Sequence, residues 1–417
     1  MTSSHLWLPY SQMQTVPAPQ MVTRTEGVRI YLADGRCLID GTSSWWTACH
    51  GYNHPHIAAA VAAQLEQLPH VMLGGLVHKP VLDLSRRLAG LLPGDLDYVF
   101  FSESGSVSVE IALKMAVQFW INQGVQDRSR FLSFQHAYHG DTFAAMSVCD
   151  PDKGMHRLLS GVLAQQLVVK LPRGAAEFTE FEQVVAKHAA ELAAVIIEPL
   201  VQAAAGMKFH QPEVLAKITE IAARYDLLVI FDEITTGFGR TGTMFACEQA
   251  GVVPDIMTLS KALTGGTLPL AATIARRHVY ESFLSDSIDQ ALVHGPTFCG
   301  NPMGCAAANA SLDLFESEPR LEQVAAIEAG FEAGLAPCRG LAQVRDVRVK
   351  GAIGVVQLDR VPDLDALRQR FLEAGVWVRP FADVIYLMPP LVIGAEELDT
   401  LIQAVNRVVK DWSALPS

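Results

Sequence analysis

The chain has 417 residues, of which 50% are hydrophobic and 18% are charged, and this composition predicts two or three domains with a large core. Its formal net charge of -12 and the lack of a Lys/Arg cluster argue against nucleic-acid binding. Because the start, MTSSHLWLPYSQMQ, has no targeting pattern and no apolar run reaches membrane-spanning length, we expect a cytoplasmic protein without a membrane partner.

The N-terminal half predicts a hairpin followed by alternating helices and strands. In VRIYLADGRCLID, two alternating runs flank Asp34-Gly35, which is typical of a hairpin. From about residue 55, PHIAAAVAAQLEQL and SVSVEIALKMAVQFWI predict helices. The apolar runs YVFFS, RFLSF, AAVIIEP, LLVIFDEI, DIMTLS and LAATIA predict buried strands. Apolar strands that alternate with helices indicate an α/β protein with a mostly parallel sheet covered on both faces.

The pattern changes after NPMGCAAANASLDLFE. A helix near residues 320–336 precedes the strand pair in VRDVRVKGAIGVVQL, the helix DLDALRQRFLEAG, the strands VWVRPF and VIYLMP, and a last helix from AEELDTLIQAVNRVVKDW. We therefore predict a large domain over residues 51–310 and a small C-terminal α+β domain over residues 311–417. The N-terminal segment, residues 1–50, is predicted to join the small domain.

Three further features are assigned structural roles. GFGRTG matches the dinucleotide-binding fingerprint, but it is not followed by a helix of sufficient length, so we interpret it as a chance match. The histidines of HGYNHPH lack a neighbouring carboxylate or thiol at zinc-like spacing, so we expect turn and helix-start residues and no metal. The seven cysteines include no CxxC pair and predict reduced, buried thiols.

The segment TLSKALTGG places Lys261 where an apolar run gives way to a loop of small residues. An isolated lysine is most often a solvated surface residue. The alternative is an amine that is held in a pocket and forms a Schiff base with a carbonyl compound such as pyridoxal phosphate. That cofactor also requires an acid for its pyridine nitrogen, a phosphate site and a flat group against its ring.

Candidates for all three requirements follow predicted strands. Asp232 ends LLVIFD, so its carboxylate is expected at the carboxyl edge of the sheet, although a cap is an equally good interpretation. The small residues 104–106 join a strand to a strong helix, and a helix N-terminus binds anions as well as being capped by serine. Tyr138 follows RFLSF, in the segment AYHGDT, where an aromatic ring is either core or a wall of the site.

With these residues in place, the sequence resembles the class III aminotransferases, which are fold-type-I pyridoxal-phosphate-dependent transferases. The resemblance is carried by LVIFDEITTGFGRTG followed by PDIMTLSKALTGG, and by DGTSSWWTACHGYNHP, AYHGDTFAAMSVCDP, HGPTFCGNPMGCAAANASL and GVWVRPF. It extends from about residue 5 to the C-terminal helix. It implies pyridoxal 5'-phosphate as the cofactor, and a homodimer with shared active sites.

The resemblance also implies roles for individual residues. Lys261 and Asp232 are the implied catalytic residues, the first binding the cofactor and moving a proton, the second pairing with the pyridine nitrogen. The implied cofactor-binding residues are Gly105, Ser106, Tyr138, Asp232 and Lys261, with Pro296 and Thr297 reaching the phosphate from the second subunit. The implied substrate-binding residues are Tyr10, Trp45, Tyr138, Asp141, Gly295 and Arg379, with Arg240 as a weaker carboxylate candidate. Glu198 and Gln202 are expected on the cofactor side.

The implied reaction transfers an amino group from S-adenosylmethionine to 8-amino-7-oxononanoate, a step of biotin biosynthesis. Alternatives are a lysine-donor version of the same step, another class III ω-amino-acid transaminase and, more remotely, a non-catalytic pyridoxal-binding regulator. Leu8 and the alanines 203–205 depart from the residues expected in the family, where a histidine and glycines are common. These departures bear on fine specificity and loop geometry, since alanine resists positive φ.

Overall fold

The computed structural model describes residues 5–152, 154–204 and 206–414. The strands, in chain order, are β1 (Val22–Glu26), β2 (Arg29–Leu32), β3 (Cys37–Asp40), β4 (Tyr98–Ser102), β5 (Arg130–Phe134), β6 (Leu167–Val169), β7 (Leu192–Ile197), β8 (Val201–Gln202), β9 (Lys208–Phe209), β10 (Leu228–Asp232), β11 (Ile256–Leu259), β12 (Ala271–Ala275), β13 (Val344–Lys350), β14 (Ile353–Leu358), β15 (Val376–Trp377) and β16 (Val384–Leu387). The helices are α1 (Ser43–Trp46), α2 (Pro55–Gln67), α3 (Lys79–Leu91), α4 (Gly105–Asn122), α5 (Phe143–Ser147), α6 (Ala175–His188), α7 (Pro212–Arg224), α8 (Arg277–Glu281), α9 (Pro302–Ser317), α10 (Arg320–Leu335), α11 (Leu364–Glu373) and α12 (Ala395–Ser413).

The largest sheet has the strand order β4-β12-β11-β10-β7-β5-β6. All of its pairings are parallel except those of β12, which is antiparallel to both of its neighbours. Every residue of β7, β10, β11 and β12 is buried, as expected for apolar strands with helices on both faces. The predicted α/β class with a mostly parallel sheet is confirmed.

The remaining sheets involve both ends of the chain. The predicted hairpin is confirmed, since β2 and β3 pair antiparallel across Asp34-Gly35. β15, from the C-terminal part, adds to β3 in parallel, so the N-terminal segment and the C-terminal part share one sheet. Another sheet has the order β13-β14-β16. Of the predicted strand VWVRPF, only Val376 and Trp377 are in strand conformation. The domain boundaries at residues 50 and 310 stay predictions.

The motifs assigned structural roles have the following positions. Residues 237–242, the GFGRTG motif, form turns after β10, and the next element is a short 3-10 helix over Ala246–Ala250. Among the described residues, the motif is therefore not followed by the long helix that dinucleotide binding requires. His54 caps α2, as expected for a helix-start histidine. His50 is buried and bonds to Ser311. The prediction for the cysteines was partly wrong, because Cys37 is exposed and Cys299 is partly exposed, although all seven are free.

Within the described residues, no helix combines the length and the apolar character needed to cross a bilayer.

Candidate active site

The candidate residues meet because several strands of the largest sheet run in the same direction. β4, β5, β7, β10 and β11 point the same way, since β4 and β11 are each antiparallel to β12 and the others pair in parallel. Their carboxyl ends therefore lie along one edge of the sheet, the usual ligand-binding edge of such folds. A cavity of about 440 Å³ opens there. Its lining includes Ser104, Gly105, Ser106, Tyr138, His139, Glu198, Asp232 and Lys261.

Lys261 lies two residues after the end of β11 and lines this cavity. Its backbone has φ of 44°, an unusual value for a residue with a side chain, and its Nζ lies 5.5 Å from the centre of the Trp46 ring. Burial lowers the pKa of the lysine amine, and the nearby carboxylates Asp232 and Glu198 oppose that shift. A buried amine with a lowered pKa can act as a nucleophile and a base, which a solvated surface lysine cannot do as readily.

Asp232 ends β10 and is 4% exposed. One carboxylate oxygen lies 2.8 Å from His139 Nδ1, and the other accepts from the Ile234 backbone N–H at 3.2 Å and the Thr258 hydroxyl at 3.3 Å. Because the buried carboxylate accepts at Nδ1, the His139 proton is on that nitrogen. The orientation of Asp232 is thus fixed by three neighbours, His139, Ile234 and Thr258.

The phosphate candidate is the start of α4. The Ser104 side chain accepts from the Val107 backbone N–H, so it caps the helix. Residues 104–106 also line the cavity that holds Lys261, so capping and anion binding are compatible. The Ser106 hydroxyl accepts from the Asp141 backbone N–H at 3.0 Å, which joins this turn to the loop after β5. The two roles predicted for this segment, capping of the helix by serine and binding of the phosphate, therefore both fit the geometry.

Glu198 follows β7 and also lines the cavity. Its carboxylate accepts from the backbone N–H groups of Ala203 at 2.9 Å and Tyr138 at 3.1 Å. Burial raises the pKa of Glu198 to about 7. Gln202 instead donates to the Gln135 carbonyl and is not among the residues that line this cavity.

A second cavity of about 580 Å³ adjoins the first, since Tyr138 and Lys261 line both. Its lining also includes Tyr10, Trp45, Trp46, Asp141, Met155, Ala204, Arg368, Arg379 and Tyr386. Its lining carries both signs of charge, the Asp141 carboxylate and the Arg368 and Arg379 guanidinium groups. The Trp45 ring contacts both groups of residues, since its centre lies 6.4 Å from the ring of Tyr10, which bonds to Asp141, and 5.4 Å from Arg379 Cζ. We call the Asp141 side the acidic end and the Arg379 side the other end. The lysine therefore lies where the smaller and the larger cavity meet.

At the acidic end, Tyr10, Tyr138 and Asp141 form one cluster. Both phenols donate to Asp141, Tyr10 at 2.5 Å and Tyr138 at 2.9 Å. Burial is the main cause that raises the pKa of Tyr10 to about 12, and it also raises the pKa of Tyr138, so both stay protonated. With both protons directed at Asp141, the phenol oxygens, 3.0 Å apart, present lone pairs that can accept from a third group. A cationic amino group fits this arrangement.

At the other end, Arg379 is partly buried with its Cζ 5.4 Å from the centre of the Trp45 ring. Within the described residues its guanidinium makes no hydrogen bond or ion pair. Burial lowers the pKa of Arg379, and the positive charge of Arg368 adds to that effect. A partly buried guanidinium without an anionic partner is a candidate for binding a carboxylate.

Trp45 reaches the cavity through an unusual turn. Residues 43–46, the element α1, all have positive φ, between 45° and 73°, which makes this turn left-handed. Each such residue costs about 1–2 kcal/mol. The buried Asp40 carboxylate holds the turn by accepting from the Thr42 and Ser44 backbone N–H groups, and the Ser43 hydroxyl donates to the Met388 carbonyl at 2.6 Å.

Several predicted residues lie elsewhere. Gly295, Pro296 and Thr297 are in a loop before α9 and do not line either cavity of their own chain. The geometry gives no support to Arg240 as a carboxylate-binding residue: it is 3% exposed, outside both linings, and its Nη1 donates to the Ala352 and Pro389 carbonyls.

The positions that depart from the expected family pattern give a mixed result. Leu8 lines a neighbouring cavity together with Tyr10 and Arg379. Neither Ala203 nor Ala204 has positive φ, so alanine is not strained at these two positions. Ala205 lies outside the described residues.

Sequence analysis missed three residues. His139 could have been found from its position next to Tyr138 in AYHGDT. Arg368 and Tyr386, which line the larger cavity, carry no local signal, because each sits in an ordinary helix or strand pattern.

Comparison with known proteins agrees with this geometry. The family model described as aminotransferase class-III matches residues 10–409. The adenosylmethionine-8-amino-7-oxononanoate aminotransferase of Mycobacterium leprae is 44% identical over 415 residues, covering 97% of this chain and 95% of the relative. That of Corynebacterium glutamicum is 42% identical, with 97% of each chain covered. The crystal structure of the protein of that name from Methanocaldococcus jannaschii matches with a TM-score of 0.92 at 32% identity, covering 98% and 97%. An (S)-enantioselective ω-transaminase from Thermomicrobium roseum matches with a TM-score of 0.91 at 30% identity, covering 98% and 96%.

Proposed function

Because the chain belongs to the class III aminotransferases, we propose that it transfers the amino group of S-adenosylmethionine to the 7-keto group of 8-amino-7-oxononanoate, with pyridoxal 5'-phosphate as cofactor. The product is 7,8-diaminononanoate, an intermediate of biotin biosynthesis. One observation carries the proposal: Lys261 lines a cavity that also holds the Asp141 cluster and Arg379, with the Trp45 ring near both Tyr10 and Arg379. An amino keto acid, with an amine and a carboxylate at opposite ends, has complementary charges.

The residues of the smaller cavity fit pyridoxal phosphate. Lys261 would bind it covalently, Asp232 would hold the pyridine nitrogen, and residues 104–106 at the N-terminus of α4 would bind the phosphate. When bound, the cofactor supplies a carbonyl that takes up the amino group and a ring that withdraws electrons from the substrate carbon. Tyr138 would form a wall of the ring site.

Three residues of this chain have separate tasks in the proposed reaction. Lys261 Nζ, with its lowered pKa, accepts the α-proton of the amino donor and returns a proton at the end of the transfer. Asp232 keeps a proton on the pyridine nitrogen, because a buried carboxylate favours a neighbouring cation. His139 holds Asp232 in that orientation through the 2.8 Å contact at Nδ1.

Substrate orientation follows from the larger cavity. The amino group of the keto acid would donate to the lone pairs of Tyr10 and Tyr138 and interact with the Asp141 charge. Its carboxylate would bind to Arg379, and Trp45 would cover the hydrocarbon chain between them. Tyr10 would also stack on the adenine of the donor. The amino end and the carboxylate end would then leave the keto carbon near Lys261.

We propose further that the enzyme is a homodimer. Gly295 and Thr297 are exposed and outside the cavities of their own chain, which supports a role for this loop in the active site of a second subunit. There Pro296 and Thr297 would bind the phosphate and Gly295 the substrate. Gel filtration with light scattering tests the dimer, and a monomeric holoenzyme would contradict it.

The reaction is tested with purified holoenzyme and S-adenosylmethionine alone, with the visible absorbance of the cofactor as the signal. We expect the absorbance to change with the donor and to be restored by 8-amino-7-oxononanoate. A spectrum that responds to lysine or another amine, and not to S-adenosylmethionine, would retain an aminotransferase and overturn the proposed donor. A protein that does not bind the cofactor would overturn the whole proposal.

A further inference from the structure

Arg368 lines the same cavity as Arg379 but has no role in the site described above. It lies on α11 and lines the cavity, with 29% of its side chain exposed. Arg368 also lines the neighbouring cavity that contains Leu8. It is therefore placed to contact a ligand that reaches the Arg379 end of the substrate cavity.

The hydrogen bonds of Arg368 leave much of its donor capacity unused. Nη1 donates to Asp365 at 2.9 Å, and Nη2 donates to the Pro380 carbonyl at 3.2 Å. Nε is buried and makes no hydrogen bond. A guanidinium has five N–H groups; with Nε buried and one N–H used on each Nη, one N–H on Nη1 and one on Nη2 are left for another acceptor. Asp365 is a weak partner, since 46% of its side chain is exposed to solvent.

Like charges also meet at this end of the cavity. The charge of Arg368 lowers the pKa of Arg379, and both guanidinium groups act on the buried Tyr386 phenol. Asp365 pairs with Arg368, and its charge also acts on Arg379 against the lowering of that pKa by burial and Arg368, but within the described residues no carboxylate forms an ion pair with Arg379. Two cations in a partly desolvated cavity repel each other unless an anion lies between them.

We propose that Arg368 is a second carboxylate-binding residue, which with Arg379 forms a two-guanidinium site for the substrate carboxylate. A carboxylate has two oxygens that together accept about four hydrogen bonds, so it can bind both arginines at once. This inference rests on the proposed function, in which both the amino donor and the keto acceptor carry a carboxylate. Arg368 then selects acids over otherwise similar neutral amines.

Binding of a simple acid tests this without turnover. The probe is nonanoate, a nine-carbon carboxylate, compared with the neutral nonanamide by isothermal titration calorimetry on pyridoxal-phosphate holoenzyme. Arg368→Gln is expected to weaken nonanoate binding about tenfold and to leave nonanamide binding unchanged, as for the loss of one charge-assisted contact. The matched control is Arg370→Gln on the same helix, since Arg370 is over the Trp412 ring and outside both cavities. Equal nonanoate affinity in the two variants would overturn the proposal.

A double-mutant cycle separates direct binding from positioning of Arg379. Arg368 also bonds to the carbonyl of the residue after Arg379, so its loss could act through that backbone. If Arg368 binds the acid itself, Arg368→Gln still weakens nonanoate binding in an Arg379→Gln background. If the effect disappears there, Arg368 acts only through Arg379 and direct binding is refuted. Arg368→Lys keeps the charge and should recover part of the affinity.

The two carboxylate sources are separated by half-reactions followed through cofactor absorbance. A raised KM for 8-amino-7-oxononanoate alone assigns the site to the acceptor, and a raised KM for S-adenosylmethionine alone assigns it to the donor. Wild-type holoenzyme that binds nonanoate in an Arg368-dependent manner but does not react with either substrate would refute the proposed function and keep this inference. Turnover that does not depend on Arg368 would keep the proposed function and refute the role of Arg368.

Discussion

Gly140 tests whether the close approach of two loops forms the phosphate site. Gly140 has φ of 126°, and a Cβ added there would lie 2.8 Å from Ser106 Cα and 2.5 Å from Ser106 Oγ. Carbon atoms in contact are usually about 3.5 Å apart. Ser106 Cα belongs to the first turn of α4 and cannot rotate away, so the turn and the loop must separate by about 0.7 Å, the difference between about 3.5 Å and the 2.8 Å found here.

Gly140→Ala should therefore cost more than backbone strain alone. Positive φ in a non-glycine residue costs about 1–2 kcal/mol, and overpacking typically adds about 1–3 kcal/mol. The matched control is Gly124→Ala, at the other end of α4, where φ is 82° and nothing lies within 4 Å of the added Cβ. Both variants place a side chain at positive φ, so the excess destabilisation of Gly140→Ala reports the contact with Ser106 together with the less favourable φ at Gly140.

Two measurements check this expectation. Urea unfolding of the apoprotein should show Gly140→Ala to be less stable than Gly124→Ala by about 1–3 kcal/mol. Pyridoxal phosphate should bind at least about tenfold more weakly to Gly140→Ala than to Gly124→Ala. The reason is that the backbone N–H groups at the start of α4 are displaced and no longer point at the phosphate. If the two variants were equally stable and bound the cofactor equally, the reasoning about this loop contact would be refuted.

Three further predictions concern single residues. Lys261→Ala should abolish turnover and leave the cofactor removable by dialysis, whereas the surface control Lys217→Ala keeps both; a near-normal rate would contradict the assignment. Burial raises the pKa of Glu233 to about 7 from an ordinary 4.5, so between these pH values the native state holds a proton that the unfolded state releases. The free energy of unfolding should therefore fall by about 3 kcal/mol as the pH rises from 4.5 to 7. Urea unfolding at several pH values should show a flatter pH dependence in Glu233→Gln. Tyr10→Phe should raise KM for 8-amino-7-oxononanoate about tenfold, because it removes the phenol oxygen that accepts from the substrate amino group. It should leave thermal stability nearly unchanged, since Tyr10 is 52% exposed, and an unchanged KM would count against the cluster.

The sequence alone was sufficient for the fold class and for the edge of the sheet where chemistry occurs. In LVIFD four consecutive apolar residues precede the terminal aspartate, a pattern typical of a strand buried on both faces, and β10 has these bounds with every residue buried. Once strand direction is assigned, the residues that follow each strand must lie at one edge. For this reason Asp232, Lys261 and Tyr138 could be placed together before any coordinates were considered.

Only the tertiary structure decided how the substrate cavity is built. The left-handed turn at residues 43–46 is opposed by local backbone preference; the preceding Asp40 carboxylate holds it locally, and the Met388 carbonyl holds it from a distant part of the chain. Arg368 and Tyr386 enter the cavity from elements whose sequence pattern reports only helix or strand. The periodicity of a sequence segment specifies which side of a helix or strand faces inward. Which residues pack against that side depends on contacts between residues far apart in the chain, and a local sequence pattern does not report these contacts.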